Sequence, residues 1–274
     1  MERRWLITGC SSGLGQALAA AAAEAGDYVL ATARKPAALA ELADRHPDRV
    51  TTAALDIRDP GQCEAAVRAA VDRLGGLDVL VNNAGSGLFG TVEEVSDDEL
   101  RDQLETLVVG PWRLARLALP VMRSQRTGHI VNVSSLAGRT AFPGLAAYVT
   151  GKYALEGMSQ ALAAEAGPLG VRVTVLEPGG FATGYGTALA EAAARIPAYG
   201  PGTDPMHAAL RGMAGDPSLG RPEDFAQRVL RVVAAEHGPV RIPVGEDAFA
   251  YLSAIEEAAR EELAAAREFG ASGG

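Results

Sequence analysis

Seven short, nearly continuous apolar runs, separated by longer stretches with apolar residues every three or four positions, constrain this chain most. The runs cover residues 4–8, 28–33, 50–55, 77–81, 129–133, 171–176 and 240–244, and helical patterns cover 13–25, 60–74, 97–123 and 147–167. A strand buried on both faces reads as an unbroken Val/Ile/Leu run, whereas a half-exposed strand alternates. Strands alternating with helices predict right-handed βαβ units, hence an α/β fold with a doubly wound parallel sheet of about seven strands and helices on both faces.

The 274 residues carry 25 Lys+Arg against 34 Asp+Glu, a net charge of −9. That balance argues against tracking along nucleic acid, which needs a basic stripe. Cys10 and Cys63 cannot staple a fold of this size and lack metal-ligand spacing, so no metal site is expected. The four histidines are scattered and read as surface or packed residues. Met1-Glu2-Arg3-Arg4 leads directly into the first apolar run, which does not resemble a signal peptide. No run of about 18 apolar residues suggests a membrane span. A cytoplasmic protein is expected. The acidic run from Glu93 to Glu99 reads as a helix N-terminus with favourable charge–dipole contacts. Residues 184–222, rich in Gly, Pro and Ala, are either a surface excursion or a substrate-covering lid, and their place after the sixth strand favours the lid. One domain spans 1–245, lid included. Residues 246–274 form a C-terminal extension, helical over 255–269 and disordered over 270–274.

The first run ends in Thr8-Gly9-Cys10-Ser11-Ser12-Gly13-Leu14-Gly15 and then a helix. Gly9 permits a backbone that side chains resist, Gly13 lets a helix N-terminus approach a pyrophosphate, and Gly15 allows close helix–strand packing. A structural turn would also explain these glycines; their place between a strand and a helix supports a phosphate loop. The second run ends at Arg34, where an acidic residue would accept from the ribose hydroxyls of NAD. A guanidinium there suits a 2′-phosphate, which favours NADP over NAD, although a solvated basic loop reads the same way. Asp56 and Ile57 follow the third run as an acceptor for the adenine amino group and a wall for its ring. Asn83, Ala84 and Gly85 follow the fourth, where small residues admit a ribose.

The fifth run enters Ser134-Ser135, and Tyr148-Val149-Thr150-Gly151-Lys152 opens a helix. Tyr148 and Lys152 lie four apart, on one helical face. A free phenol titrates near pH 10, and a neighbouring ammonium is expected to lower that value, making Tyr148 usable as an acid or base. A serine hydroxyl from the strand end would hold the substrate oxygen.

In order, the Thr-Gly-x-x-x-Gly-x-Gly loop, Asn-Asn-Ala-Gly, the serine, Tyr-x-x-x-Lys, Pro178-Gly179 and Thr183 resemble the short-chain dehydrogenase/reductases in their single-domain Rossmann-type form. The resemblance runs from Arg4 to about Val244 and is far more specific for family than for substrate. It implies that the catalytic serine, thirteen positions before the tyrosine, is Ser135. It further implies that Lys152 bonds the nicotinamide ribose and that Pro178, Gly179 and Thr183 hold the nicotinamide end. An NADP(H)-dependent exchange between a carbonyl and an alcohol on a small or medium apolar substrate follows from it. So does a homodimer or homotetramer, formed by packing residues 97–123 and 147–167 against symmetry mates.

Leu107 departs from the family pattern. It stands where the family carries an asparagine that helps hold a proton-passing water, and it cannot hydrogen-bond. The alternative reading is therefore a cofactor-binding protein with weak or no catalysis.

Overall fold

The computed structural model describes residues 2–271. All seven apolar runs are strands: β1 (Arg4–Ile7), β2 (Tyr28–Ala33), β3 (Val50–Ala54), β4 (Val79–Asn82), β6 (Gly128–Val133), β7 (Val171–Pro178) and β9 (Arg241–Val244). They form one parallel sheet in the order β3-β2-β1-β4-β6-β7-β9, which reverses direction between β1 and β4. Ligands bind at such a switch point, outside the carboxyl ends of the strands. Two further short strands, β5 (Leu88–Phe89) and β8 (Ala190–Glu191), pair in parallel above it.

The pleat divides the core. Trp5 and Ile7 of β1 pack on one face with α1 (Gly13–Glu24) and α9 (Pro222–Ala234), through Leu18, Phe225 and Val229. Leu6 faces the other way, towards α3 (Pro60–Leu74), α5 (Gly110–Gln125) and α6 (Ala146–Ala166). A short α2 (Ala40–Arg45) completes the β2–β3 crossover. Leu114, Leu117 and Leu119 of α5 join this second core.

The stretch read as one helix over 97–123 is divided. An eight-residue α4 (Asp97–Leu104), capped by Ser96 and Glu99 in a reciprocal capping box, runs into a π turn (Glu105–Val109) before α5 begins. One extra residue in the turn rotates α5 about its axis relative to α4, a device that recurs at functional sites. The segment read as a surface excursion or a lid folds as α7 (Tyr185–Ala188), β8 and α8 (Gly200–Arg211). Its fastening reassigns part of the acidic run: Glu94 accepts from the Ile196 amide at 2.7 Å, Glu99 from the Ala193 amide at 2.8 Å, and Glu93 from the Tyr199 hydroxyl at 2.6 Å. The tail helix α10 (Glu246–Ala271) is longer than its charged segment suggested. Gly270 and Ala271, expected to be disordered, continue it; residues 272–274 lie outside the described residues. Among the described residues no helix is long and apolar enough to cross a membrane, and none of the His, Cys, Asp and Glu side chains group as a metal site.

A buried polar line crosses the sheet. Asn82 donates to Asn132 at 2.8 Å, and Asn132 donates to Ser159 of α6 at 2.8 Å. These bonds fix the register of α6 against β6, because breaking one strands a buried amide. Next to it, His129 contacts Thr174 at 2.9 Å through Nε2 and Arg172 at 3.0 Å through Nδ1. Burial, reinforced by the Arg172 and Arg3 charges, pulls its pKa from 6.5 down to about 3. The unfolded chain then binds the proton first, so stability present above pH 6.5 is lost as pH falls towards 3. Urea melts are expected to show falling stability from about pH 7 to about pH 5, with a contribution of at most about 1.4 kcal/mol per pH unit from this group. His129→Gln should flatten that slope; an unchanged slope would contradict the assignment.

Candidate active site

The β1 end and the loop after β4 are stapled by one hydroxyl. Thr8 Oγ1 accepts from the amides of Asn83 at 3.0 Å and Ala84 at 2.9 Å, and donates to the Val81 carbonyl at 3.2 Å. Asn83 Nδ2 returns a bond to the Thr8 carbonyl at 2.9 Å. Gly9 adopts φ +72°, and a Cβ there would lie 2.9 Å from Ala84 Cα. Gly13 adopts φ +59° beside Thr183, whose side chain would lie 3.5 Å from a Cβ at Gly13. A Cβ at Gly15 would overlap both the Asn83 side chain and the Gly9 carbonyl.

Ser12, the N-cap of α1, makes no side-chain capping bond, so the first amides of the helix have no cap. An uncapped helix N-terminus within a glycine-lined turn suits a pyrophosphate. Thr8, Gly9, Ser11, Ser12, Gly13, Leu14 and Gly15 thus lie around one cradle, with Thr183 opposite. The residues present fit a dinucleotide.

Arg34 is exposed at the β2 end, and its charge helps hold the Asp56 carboxyl below its usual range. The larger cause is Arg58, which sequence reasoning missed. Its guanidinium grips Asp56 through Nε at 3.0 Å and Nη2 at 2.8 Å. The Ile57 side chain, read as a wall for the adenine ring, is buried in the core against Gly110. Close approach of α5 draws it inward.

At the β6 end the two serines part. Ser134 is buried and points behind α6, while Ser135 is half-buried, caps a short 3-10 turn and accepts from the Ala137 amide at 3.1 Å. Tyr148 lies in an apolar cluster with Phe89, Leu107, Ala137, Leu145 and Leu189. Burial pushes its phenol above the ordinary value, against the smaller downward pull of the Ser135 and Tyr185 hydroxyls. This corrects the expectation that the ammonium lowers it. Lys152 Nζ lies 5.6 Å from the ring centroid and donates to the Val133 carbonyl at 2.8 Å. Burial draws the Lys152 pKa itself down to about 8, against the raising charge of Glu156. Desolvation opposes both charged forms and is the largest influence on each.

Tyr185 was also missed. Its ring centroid lies 5.9 Å from that of Tyr148, its buried hydroxyl acts on the Tyr148 phenol, and Gly87 leaves it room. Only its place two residues after Thr183 hinted at this. Leu107 fills the space between Gly85 and Gly151, with Cδ2 3.0 Å from a Cβ position at Gly85. The loop Pro178-Gly179 is held from behind: the Gly179 amide donates to the Val244 carbonyl at 3.0 Å, and the Gly180 amide to Asp247 of α10 at 2.6 Å.

Comparison with known proteins agrees with this geometry. A sequence model of the family described as short chain dehydrogenase matches residues 3–194. The oxidoreductase BOA17 of Botryotinia fuckeliana is 38% identical over 269 residues, covering 95% of this chain and 98% of its own. The crystal structure of a short-chain dehydrogenase from Streptomyces avermitilis superposes with a TM-score of 0.91 at 37% identity, covering 100% of this chain and 99% of that one. A short-chain dehydrogenase/reductase from Burkholderia phymatum in complex with NAD gives 0.81 at 25% identity over 93% and 92% of the two chains. A metagenomic short-chain oxidoreductase in complex with NADP gives 0.71 at 25% identity over 88% and 96%.

Gly15→Ala is expected to abolish dinucleotide binding, measured by quenching of protein fluorescence, and to cost about 1–3 kcal/mol of stability, since backbone blocks the added methyl. Wild-type binding and stability in this variant would show that the turn is not closely packed.

Proposed function

Because the chain belongs to the short-chain dehydrogenase/reductase family of NAD- or NADP-dependent oxidoreductases, we propose that it reduces a ketone or aldehyde on a small or medium apolar substrate with NADPH. The same residues oxidise the alcohol in reverse. The observation that carries this reading is a buried phenol, Tyr148, in an apolar cluster on the same helix as Lys152 and close to Ser135. When bound, the nicotinamide supplies the hydride that the carbonyl carbon receives.

The protein residues then divide the remaining work. Ser135 Oγ holds the carbonyl oxygen, and Tyr148 Oη gives it the proton. A phenol kept above its ordinary pKa is loaded with that proton at neutral pH, which suits reduction. Lys152 holds the nicotinamide ribose and is the nearest cation to the phenolate that forms. Thr183, Pro178 and Gly179 hold the nicotinamide end, and Asn83, Ala84 and Gly85 border its ribose. Phe89, Leu145 and Leu189, with Met206 and Leu210 of the lid, exclude water and favour an apolar substrate. Arg34, exposed and without a carboxylate at the β2 end, supports NADP over NAD.

Val109 and Trp112 at the start of α5 and Tyr153 on α6 are exposed large apolar residues. They support a homodimer or homotetramer built on these helices. Leu107 at Lys152 favours a second reading, a cofactor-binding protein with little turnover.

A panel of ketones with NADPH separates the two. Tyr148→Phe is expected to lower kcat by about 10²–10⁴-fold with cofactor binding retained; full activity in that variant would overturn the mechanism. Arg34→Ala should weaken NADPH binding by about tenfold or more and leave NADH nearly unchanged. Equal losses for both nucleotides would remove the assignment.

A further inference from the structure

Lys152 is 6% exposed, and the space on one side of it is taken. Leu107, 1% exposed, packs between Gly85 and Gly151 and offers no hydrogen-bonding atom there. On the other side, one turn along α6, lies Glu156, which is 3% exposed. Among the described residues no full hydrogen bond reaches either of its carboxyl oxygens, Ser134 Oγ or Glu177 Oε2, although the Ser134 hydroxyl lies near enough to act on the carboxyl. Ser134 Oγ and Glu156 Oε1 both border Gly138, lying 2.6 Å and 3.1 Å from where its Cβ would be. Buried polar atoms without partners are rare, and several in one place are a functional signal.

The outer end of this cluster reaches water. Arg139 donates to Glu177 at 2.9 Å and to Glu256 of α10 at 2.9 Å, and the Glu256 side chain is 54% exposed. We propose that Glu156 supplies and takes back the proton of Lys152, and that the Arg139–Glu256 pair is where this path meets solvent. Glu156 acts through Lys152 and is a positioning residue in that sense. The proposal rests on the reading of Tyr148 and Lys152 given above.

Named groups from several neighbouring elements set the balance of Glu156. Burial is the largest influence and pushes its pKa up to about 7; the hydroxyl of Ser134, which follows β6, pulls it down. Glu177 of β7 pushes it up, while Arg241 of β9 and Arg139 pull it down. With Lys152 at about 8, donor and acceptor are closely matched, the condition under which a proton passes readily either way.

In reduction, the Tyr148 O–H bond breaks as the alcohol O–H forms. An N–H of the Lys152 ammonium breaks as the phenol is restored. The Lys152 side chain, which rests on the Val133 carbonyl, then turns toward Glu156, whose O–H breaks as that N–H re-forms, and one proton from solvent neutralises the carboxylate. One proton enters, and no electrons move along the path.

Two measurements test this. Infrared titration of the cofactor-free protein should show a protonated-carboxyl band that disappears around pH 7 and is missing from Glu156→Gln. Identical spectra for the two proteins would overturn the proposal whether or not a substrate is known. With a ketone whose turnover depends on Tyr148, Glu156→Gln should lower kcat about tenfold, leave KM for NADPH unchanged and lose the pH limb near 7. Glu156→Asp, which keeps the acid, should recover most of kcat and retain a shifted limb, and it serves equally if the glutamine variant does not fold. Wild-type kcat and pH profile in Glu156→Gln would overturn the relay. Tyr148→Phe with full turnover would overturn the underlying mechanism, while the infrared result stands apart from it.

Discussion

The Thr8 hydroxyl is the joint on which the site depends. Where the sheet order reverses, β1 and β4 send their following segments to opposite faces, and a crevice opens between them. Thr8 closes the base of that crevice by accepting two amides from Asn83 and Ala84 while donating to Val81. The bonds satisfy backbone groups that the diverging strands would otherwise leave unpaired, which is costly at a buried position. They also bring Ala84 so near Gly9 that a side chain there would collide. The narrow glycine turn and the uncapped start of α1 result from this closure.

The second constraint is desolvation around α6. Tyr148, Lys152 and Glu156 succeed one another at four-residue intervals on one side of the helix, and all three are buried. Each is driven towards its neutral form: the phenol and carboxyl upward, the ammonium downward. A row of groups close to neutrality can pass protons without creating isolated charges in a low-dielectric interior. The π turn that brings Leu107 against Gly151 seals one flank of this row. The tail helix, through Asp247 on Gly180 and Glu256 on Arg139, braces its other side.

Much of this was legible in the residues. Apolar runs marked the strands because the inner ones are covered on both faces, while the edge strands β3 and β9 are only part-buried and carry a weaker pattern. The glycine loop, Asn83, Ser135, Tyr148 and Lys152 stood out because their types and spacing are tied to strand ends and one helix face. Glu156 carried a signal too, one further turn from Lys152, yet the same pattern describes many solvated helices. Asn132, a polar residue within an apolar run, hinted at a buried partner without saying which. Tyr185, Arg58 and Asp247 carried no pattern, since each acquires its role from packing that local spacing does not display.

The sequence by itself determined the layered α/β fold, the place of the dinucleotide turn and the polar groups at the strand ends. Local periodicity and glycine stereochemistry act over a few residues, and a single chain displays them directly. Only the tertiary structure decided which ionisable groups are dry, how the segment from Tyr185 to Arg211 is fastened to Glu93, Glu94 and Glu99, and what lies behind Lys152. Those outcomes depend on contacts between remote segments and on the water they exclude. Burial, a property of the whole assembly, therefore sets the balance of charge at this site.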